Sequence, residues 1–331
     1  MSTRPSRAGV DRYSVILIAV AATMWASDAY FRNQLVKHLS SPEIVVAEDG
    51  LVMLFLLPVL WSNRRELSFL GARGWTAVAI IAAGAQALAT ILFTASFSIA
   101  AQHQLFAETF VLQQTQPLIA IVLAWIVLGE RRRPWFWPAA VVAIAAVYMV
   151  LFASDPLSPV SALRNGRLEV GLLALGAAAL WGSGTVLGRF ALGSISFWSV
   201  TALRFTLAFP VLVAVVLVQS GFGGFSHYTV ADFVPNLLAI AIVPGLLALL
   251  LYYRALSKTP ASLATIAEMA YPVAATLIAS APPPWGFNQP LFPLQIVGTV
   301  LLMGVIVALN WSKEKAPPVT VPYGSLKPAE G

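Results

Sequence analysis

The chain has no cysteine and only 3 histidines among its 331 residues. Without cysteine there are no disulfides and no thiol chemistry. The histidines His38, His103 and His227 fall near the ends of apolar runs or in connections, and no His-Glu-x-x-His pair occurs, so that zinc-protease arrangement is missing. A membrane-embedded Ser–His dyad has no candidate histidine. No aspartate-rich motif is present to hold magnesium and a diphosphate, and no ATP-binding loop occurs. Together these absences argue against an enzyme, and neither a metal nor a cofactor is expected. Charge is also scarce: 10% of residues are charged, against about 25% in a soluble domain. The formal net charge of +6 does not indicate a nucleic-acid partner, because most basic residues lie at the ends of apolar runs, as the positive-inside bias requires.

Apolar residues make up 59% of the chain, and the mean hydropathy is +0.81. This is the composition of an integral membrane protein, with the lipid bilayer as its surroundings. Ten apolar stretches are read at 13–31, 42–61, 76–99, 104–128, 135–152, 169–188, 197–218, 231–253, 262–280 and 291–311. Each is roughly the 17–25 residues that a spanning helix needs. They run continuously and do not alternate polar with apolar, which excludes barrel strands. The first run, Tyr13–Tyr30, is too long for the apolar core of a signal peptide and has no clean small-x-small site after it. The expected fold is all-α: ten transmembrane helices arranged as two inverted five-helix repeats. The expected divisions are a lead at 1–12, a first repeat at 13–152, a linker at 153–168, a second repeat at 169–311 and a disordered tail at 312–331.

Lysine and arginine set the expected orientation. One side holds Arg4, Arg7, Arg12, Arg64, Arg65, Arg73, Arg131, Arg132, Arg133, Arg189, Arg254, Lys258, Lys313, Lys315 and Lys327. The other holds only Arg32, Lys37, Arg164 and Arg167. The bias places both termini in the cytoplasm of a bacterial-type plasma membrane. Trp75, Trp135, Trp137 and Trp311 lie at span ends and read as interfacial anchors.

The two halves echo one another. Trp25-Ala26-Ser27 recurs as Trp181-Gly182-Ser183, and Gln116-Pro117 recurs as Tyr271-Pro272. At the Trp25–Trp181 offset Glu48 falls opposite Arg204. A proline inside a spanning helix leaves a carbonyl unpaired, which is tolerated only where neighbours or a wet cavity satisfy it. Matching interrupted helices in two halves are a pointer to a transport site. Five spans per half, an odd number, bring the second half in from the opposite side.

These residues resemble the EamA family of the drug/metabolite transporter superfamily. The resemblance is carried by Leu180-Trp181-Gly182-Ser183, Thr201-Ala202-Leu203-Arg204-Phe205, Leu251-Tyr252-Tyr253-Arg254-Ala255-Leu256, Thr259-Pro260-Ala261, and the first-half run from Gln116-Pro117 to Leu128-Gly129-Glu130-Arg131. It covers about 13–311 and implies a ten-helix carrier, commonly an exporter of amino acids or other small metabolites. Two features depart from the pattern. The second half reads Ala281-Pro282-Pro283-Pro284 in place of a Gly-Glu pair, and Glu48 stands where such families often have arginine.

The candidate site residues follow from polarity inside apolar spans, which is costly and therefore marks function. Thr109, Gln113 and Gln116 share a helix face. They either line a polar cavity or bond across helices, and Tyr271 carries the same two readings. Trp25 and Trp181 either wall the substrate cavity or pack. Pro117 and Pro272 break their helices. Glu48 and Glu108 are candidates for carrying a coupling proton, or for pairing with Arg32 as a gate. Asp28 and Asp49, beside them, are as readily read as facing water. Arg204 and Glu268 lie at similar depth with opposite charge and are expected to pair, closing the inner end, or else opening during a cycle or holding a substrate charge. The expected function is secondary transport of a small organic molecule, as an exporter by alternating access with protons as a coupling partner. The rival is a non-transporting receptor or assembly scaffold.

Overall fold

The computed structural model describes residues 12–116, 118–120, 122–123, 136–154, 166–191, 193–229, 233–256, 267–268 and 270–311. Pro117, the Gly129-Glu130-Arg131 run, the 155–165 part of the linker, Lys258 and both chain ends lie outside them. The first half contains α1 (Arg12–Ala26), α2 (Asp28–Leu35), α3 (Ser41–Ser62), α4 (Ala72–Ile80), α5 (Ala89–His103), α6 (Phe106–Gln113) and α7 (Phe136–Leu151). The second contains α8 (Arg167–Ala191), α9 (Phe197–Ser220), α10 (Val234–Ile240), α11 (Ala248–Leu256), α12 (Ala270–Ser280) and α13 (Pro293–Trp311). No strand occurs among the described residues.

Local sequence explains the ends. Ser40 and Glu43 form a capping box at the start of α3, with Pro42 in its first turn, where a missing N–H costs nothing. Gly221, at φ 60°, stops α9 and Gln104, at φ 57°, stops α5, each in a positive-φ conformation of the kind that commonly ends a helix. The first apolar stretch is not one helix, as the sequence reading had it. It breaks at Ser27, whose hydroxyl donates to the Met24 carbonyl at 2.7 Å, a back-bond that competes with the helical ladder. Ser183 in α8 makes the same bond to Leu180, also at 2.7 Å, without breaking its helix.

The halves interlock by exchange. The first span of each half packs on the third and fourth spans of the other: α1 on α11 and α12, α8 on α5 and α6. The remaining large contacts, α3 with α9 and α7 with α13, also cross between halves. A second shared feature has no sequence counterpart in the first half: a π-helical segment, Ile81–Leu88, joins α4 to α5, and another, Ala241–Leu247, joins α10 to α11. Pro244 lies in the second.

The periphery is apolar. Ile144 is 70% exposed, Val300 67%, Leu277 63% and Leu54 60%. A soluble protein does not tolerate such a continuous apolar surface, and in a bilayer it becomes the lipid contact. Among the described residues, five helical stretches are long and apolar enough to cross a membrane: 41–62, 72–103, 167–188, 197–226 and 234–252; three shorter apolar helices accompany them. Trp75 and Trp137 are exposed, as anchors should be.

Candidate transport site

Aromatic rings from both halves converge where the halves exchange helices. Trp25 meets Tyr252 at 5.0 Å between centroids, and its counterpart Trp181 meets Phe93 at 5.4 Å. Phe97 lies 5.9 Å from Phe110, whose edge meets Tyr271 at 6.4 Å. Trp25 and Trp181 are only partly buried, whereas Tyr271 and the three phenylalanines are buried. Offset and edge-on pairs of this kind add to the energy of simple burial.

Beside these rings the fourth span is interrupted. α6 ends at Gln113; the amides of Gln114 and Thr115 then donate to the carbonyls three residues back, at 3.1 Å each, before the helix resumes. Gln113 donates to Gln116 at 3.3 Å and accepts from Gln114 at 2.9 Å, a chain of three amides at the break. Gly182 explains why the second half reads Trp-Gly-Ser here. A Cβ on it would lie 3.0 Å from the Gln116 carbonyl oxygen and 3.2 Å from the Ala120 nitrogen. Pro272 is buried in α12. Thr109 reaches no open space in this conformation. It is fully buried and bonded to Ser96 at 2.9 Å, and Ser96 donates on to the Val170 carbonyl. That is the cross-helix role open to a polar residue in lipid.

The acids divide into separate clusters. Arg32, 2% exposed, binds both Asp28 oxygens at 2.6 and 2.8 Å, Glu48 at 2.9 Å and the Thr94 hydroxyl at 2.6 Å. Glu108 has its own arginine, Arg167 at 3.4 Å, and accepts from Gln289 at 3.0 Å. The sequence reading offered Arg32 as a partner to either Glu48 or Glu108; Glu48 takes it, and Glu108 turns to Arg167. Nor does it hold that Arg204 pairs with Glu268. Arg204 donates to Gln86 at 2.5 Å and to the Ala85 carbonyl at 3.2 Å, both in the first π-helical segment, while Glu268 accepts from Tyr252 at 2.6 Å. Equal depth along two helices does not fix the direction in which each side chain points. Asp49, expected to be a water-facing neighbour, is fully buried.

One end of the bundle is plugged by the segment after α12. Phe287 stacks on Phe106 at 4.2 Å and approaches Phe97 at 6.2 Å and Tyr30 at 6.0 Å. The Tyr30 hydroxyl donates to the Trp285 carbonyl. Gln289 accepts from the Ala107 amide at 2.8 Å as it donates to Glu108. A cavity of about 470 Å³, lined by Tyr30, Asn33, Lys37, Gln104, Phe106 and Phe287 among others, opens beside the plug. Sequence reasoning noticed the Pro282–Pro284 run here only as a departure, and missed Phe287, Gln289 and Gln86.

The model of the EamA-like transporter family matches residues 12–152 and 170–311, one match per half. The chain belongs to the EamA-like transporter family. This EamA protein is therefore a multi-pass membrane protein of a transporter family, and the exchanged packing is that of its two repeats. The riboflavin transporter ImpX of Fusobacterium nucleatum is 27% identical over 306 residues, covering 89% of this chain and 96% of that protein. A crystal structure 17% identical, covering 90% of this EamA chain and 95% of its own, superposes with a TM-score of 0.57 and shares the fold.

Proposed function

We propose that this protein is a secondary transporter that carries a small planar heteroaromatic metabolite between its two repeats by alternating access. The observation that carries the reading is the pairing of partly buried Trp25 with Tyr252 and of Trp181 with Phe93, in a cluster that also holds Tyr271, next to the amide chain of Gln113, Gln114 and Gln116. Flat aromatic walls grip a fused ring by stacking. Amides donate and accept together, which suits the ring nitrogens and carbonyls of such a compound. A flavin is the specific candidate, because a relative that aligns along nearly its whole length is named a riboflavin transporter. Amino acids, the class first expected, remain in the test set, and the aromatic ones fit the same walls. Export is the direction implied by the family resemblance.

The proposed architecture is ten spans in two inverted repeats, with both termini cytoplasmic. The Phe287 plug is then the outer gate, clamped by Gln289 on Glu108, and the Arg32 cluster braces the same side. Because the chain has no cysteine, single cysteines report orientation cleanly. An impermeant reagent on intact cells should label a cysteine at Val160 and not one at Ser68, and the reverse result would sink the orientation.

The functional test is counterflow in proteoliposomes with labelled riboflavin, tryptophan and alanine. Riboflavin should exchange, alanine should not, and Trp181→Ala should slow exchange by about tenfold, the loss of roughly one aromatic contact. Exchange of alanine alone would overturn the substrate class. Absence of exchange with a wider panel of amino acids, purines, sugars and cationic drugs would favour a receptor or scaffold.

A further inference from the structure

Among the described buried carboxylates, Asp49 stands apart. It is fully buried in α3, and neither of its oxygens has a hydrogen-bond partner. Asp28 and Glu48 share Arg32, Glu108 has Arg167 and Gln289, Glu43 accepts from the Ser40 amide, and Glu268 accepts from Tyr252. The groups facing Asp49 are the Gln86 amide on the π-helical segment, Arg204 on α9, and its neighbour Glu48 on α3. Glu48 is turned to Arg32. The other elements packed on α3 bring no charge to its middle. α10 and the Ala241–Leu247 segment carry none, α5 carries only His103 at its far end, and Arg64, Arg65 and Glu66 lie beyond the opposite end of α3.

We propose that Asp49 binds the coupling proton of this transporter, in competition with the guanidinium of Arg204. A buried carboxylate without partners is costly, and two things relieve it: a proton or a paired cation. Arg204 is the cation beside it, and here it is drawn away by Gln86 and the Ala85 carbonyl. A proton from water on an Asp49 oxygen leaves Arg204 on the π-helical segment. Loss of that proton to water frees Asp49 to take Arg204 from it. A metal ion fits less well, since no cluster of three or more metal-binding side chains occurs among the described residues, and Arg204 already supplies positive charge.

The coupling route to substrate is short. π-helical turns mark functional sites and can shift register. α8 lies against this one with only the Ala85 methyl between: a Cβ on Gly184 would come within 2.4 Å of the Ala85 Cβ. Two residues earlier on α8, Gly182 lies against the Gln116 carbonyl at the interrupted helix. Movement of α8 as the central site fills or empties is therefore felt at both ends of this contact, the amide chain and the Arg204 acceptors.

The proposal rests on the transport reading, but its test need not. Difference infrared spectra of the purified protein in lipid, taken across about pH 5.5–8.5, report carboxylic acid groups directly. A pH-sensitive acid carbonyl band should vanish in Asp49→Asn and persist in Glu48→Gln and Glu108→Gln. Persistence in Asp49→Asn, or no such band in the parent, overturns the proposal. If Asp49→Asn does not fold, Asp49→Glu keeps the carboxyl and should move the band, and an unmoved band is equally fatal. In vesicles, riboflavin accumulation driven by a pH gradient should fall at least about tenfold in Asp49→Asn. If no probe is transported by the parent, the transport reading fails alone, and the infrared result still decides whether Asp49 is the proton site.

Discussion

The helices α3 and α9 begin at matching places in the two repeats, and they are capped in different ways. Ser40 starts α3 and Glu43, three residues on, accepts from the Ser40 amide at 2.8 Å, so the cap is local. Ser196 starts α9, but Ser199 stands where Glu43 would, and the carboxylate comes from the other repeat. Glu66 accepts from the Ser196 amide at 2.9 Å and from the Ser199 hydroxyl at 2.8 Å. The same job is thus done once within a repeat and once between repeats. The difference shows that two halves of one ancestry need not be equally self-sufficient: the second borrows a charge from the first.

The imbalance is general. Asp28, Arg32, Glu48, Asp49 and Glu108 all belong to the first repeat, while the second offers Arg204, Glu268 and, at its start, Arg167. The sharpest test of this imbalance compares the two embedded arginines. Arg32→Ala leaves Asp28 and Glu48 buried without their cation and should cost about 3–5 kcal/mol. Arg204→Ala releases the Gln86 amide and a backbone carbonyl and strands no carboxylate bound to it by a direct ion pair among the described residues, so it should cost about 1–3 kcal/mol. Thermal unfolding of both variants in detergent measures the gap. Equal losses would mean that the second repeat leans on its arginine as heavily as the first.

A middle-sized effect separates the two Trp-x-Ser motifs. Gly182→Ala drives a methyl against the Gln116 carbonyl and should cost about 1–3 kcal/mol. Exchange should slow as well, since the strain falls on the interrupted helix. Its counterpart already carries a methyl: Ala26 is 1% exposed, and Ala26→Gly should cost only about 1 kcal/mol, the helix penalty of glycine. Stability and counterflow measured on both variants check this. A harmless Gly182→Ala would dissolve the distinction.

The smallest effect concerns Glu66. Hydrogen bonds from Ser196, and then from Ser199, hold its carboxyl below the usual glutamate range. Its contribution to stability is therefore complete above the unfolded-state value and fades as pH falls through the lowered folded-state value. Glu66→Gln should lose no more than about 1 kcal/mol at neutral pH, and its acid unfolding profile should be flatter than the parent's. Identical acid profiles would remove the inter-repeat cap as a source of stability.

Legibility differed by residue. The interrupted fourth span was readable because proline and glutamine are conspicuous in an apolar run, and the helix does stop at Gln113. The tryptophan pair was readable from the repeat. The kink at Ser27 was not, because Ser183 makes the same back-bond in an unbroken helix. The first π-helical segment had no signal at all, being built from Ile81–Leu88, an ordinary apolar run. The Arg204–Glu268 pairing failed because helical depth was known and helix rotation was not.

Composition and periodicity alone determined that this is a helical membrane protein with two related halves, since a bilayer admits apolar helices of one length and little else. They also drew attention to the few polar residues inside apolar runs, because lipid makes every such residue expensive. Which acid meets which base was decided by the tertiary structure alone. Partnership depends on the rotation of each helix about its axis and on the exchange of helices between repeats. Those are set by packing across the whole bundle, as where Gly182 lets α8 meet the Gln116 carbonyl and Gly184 lets it meet the Ala85 methyl.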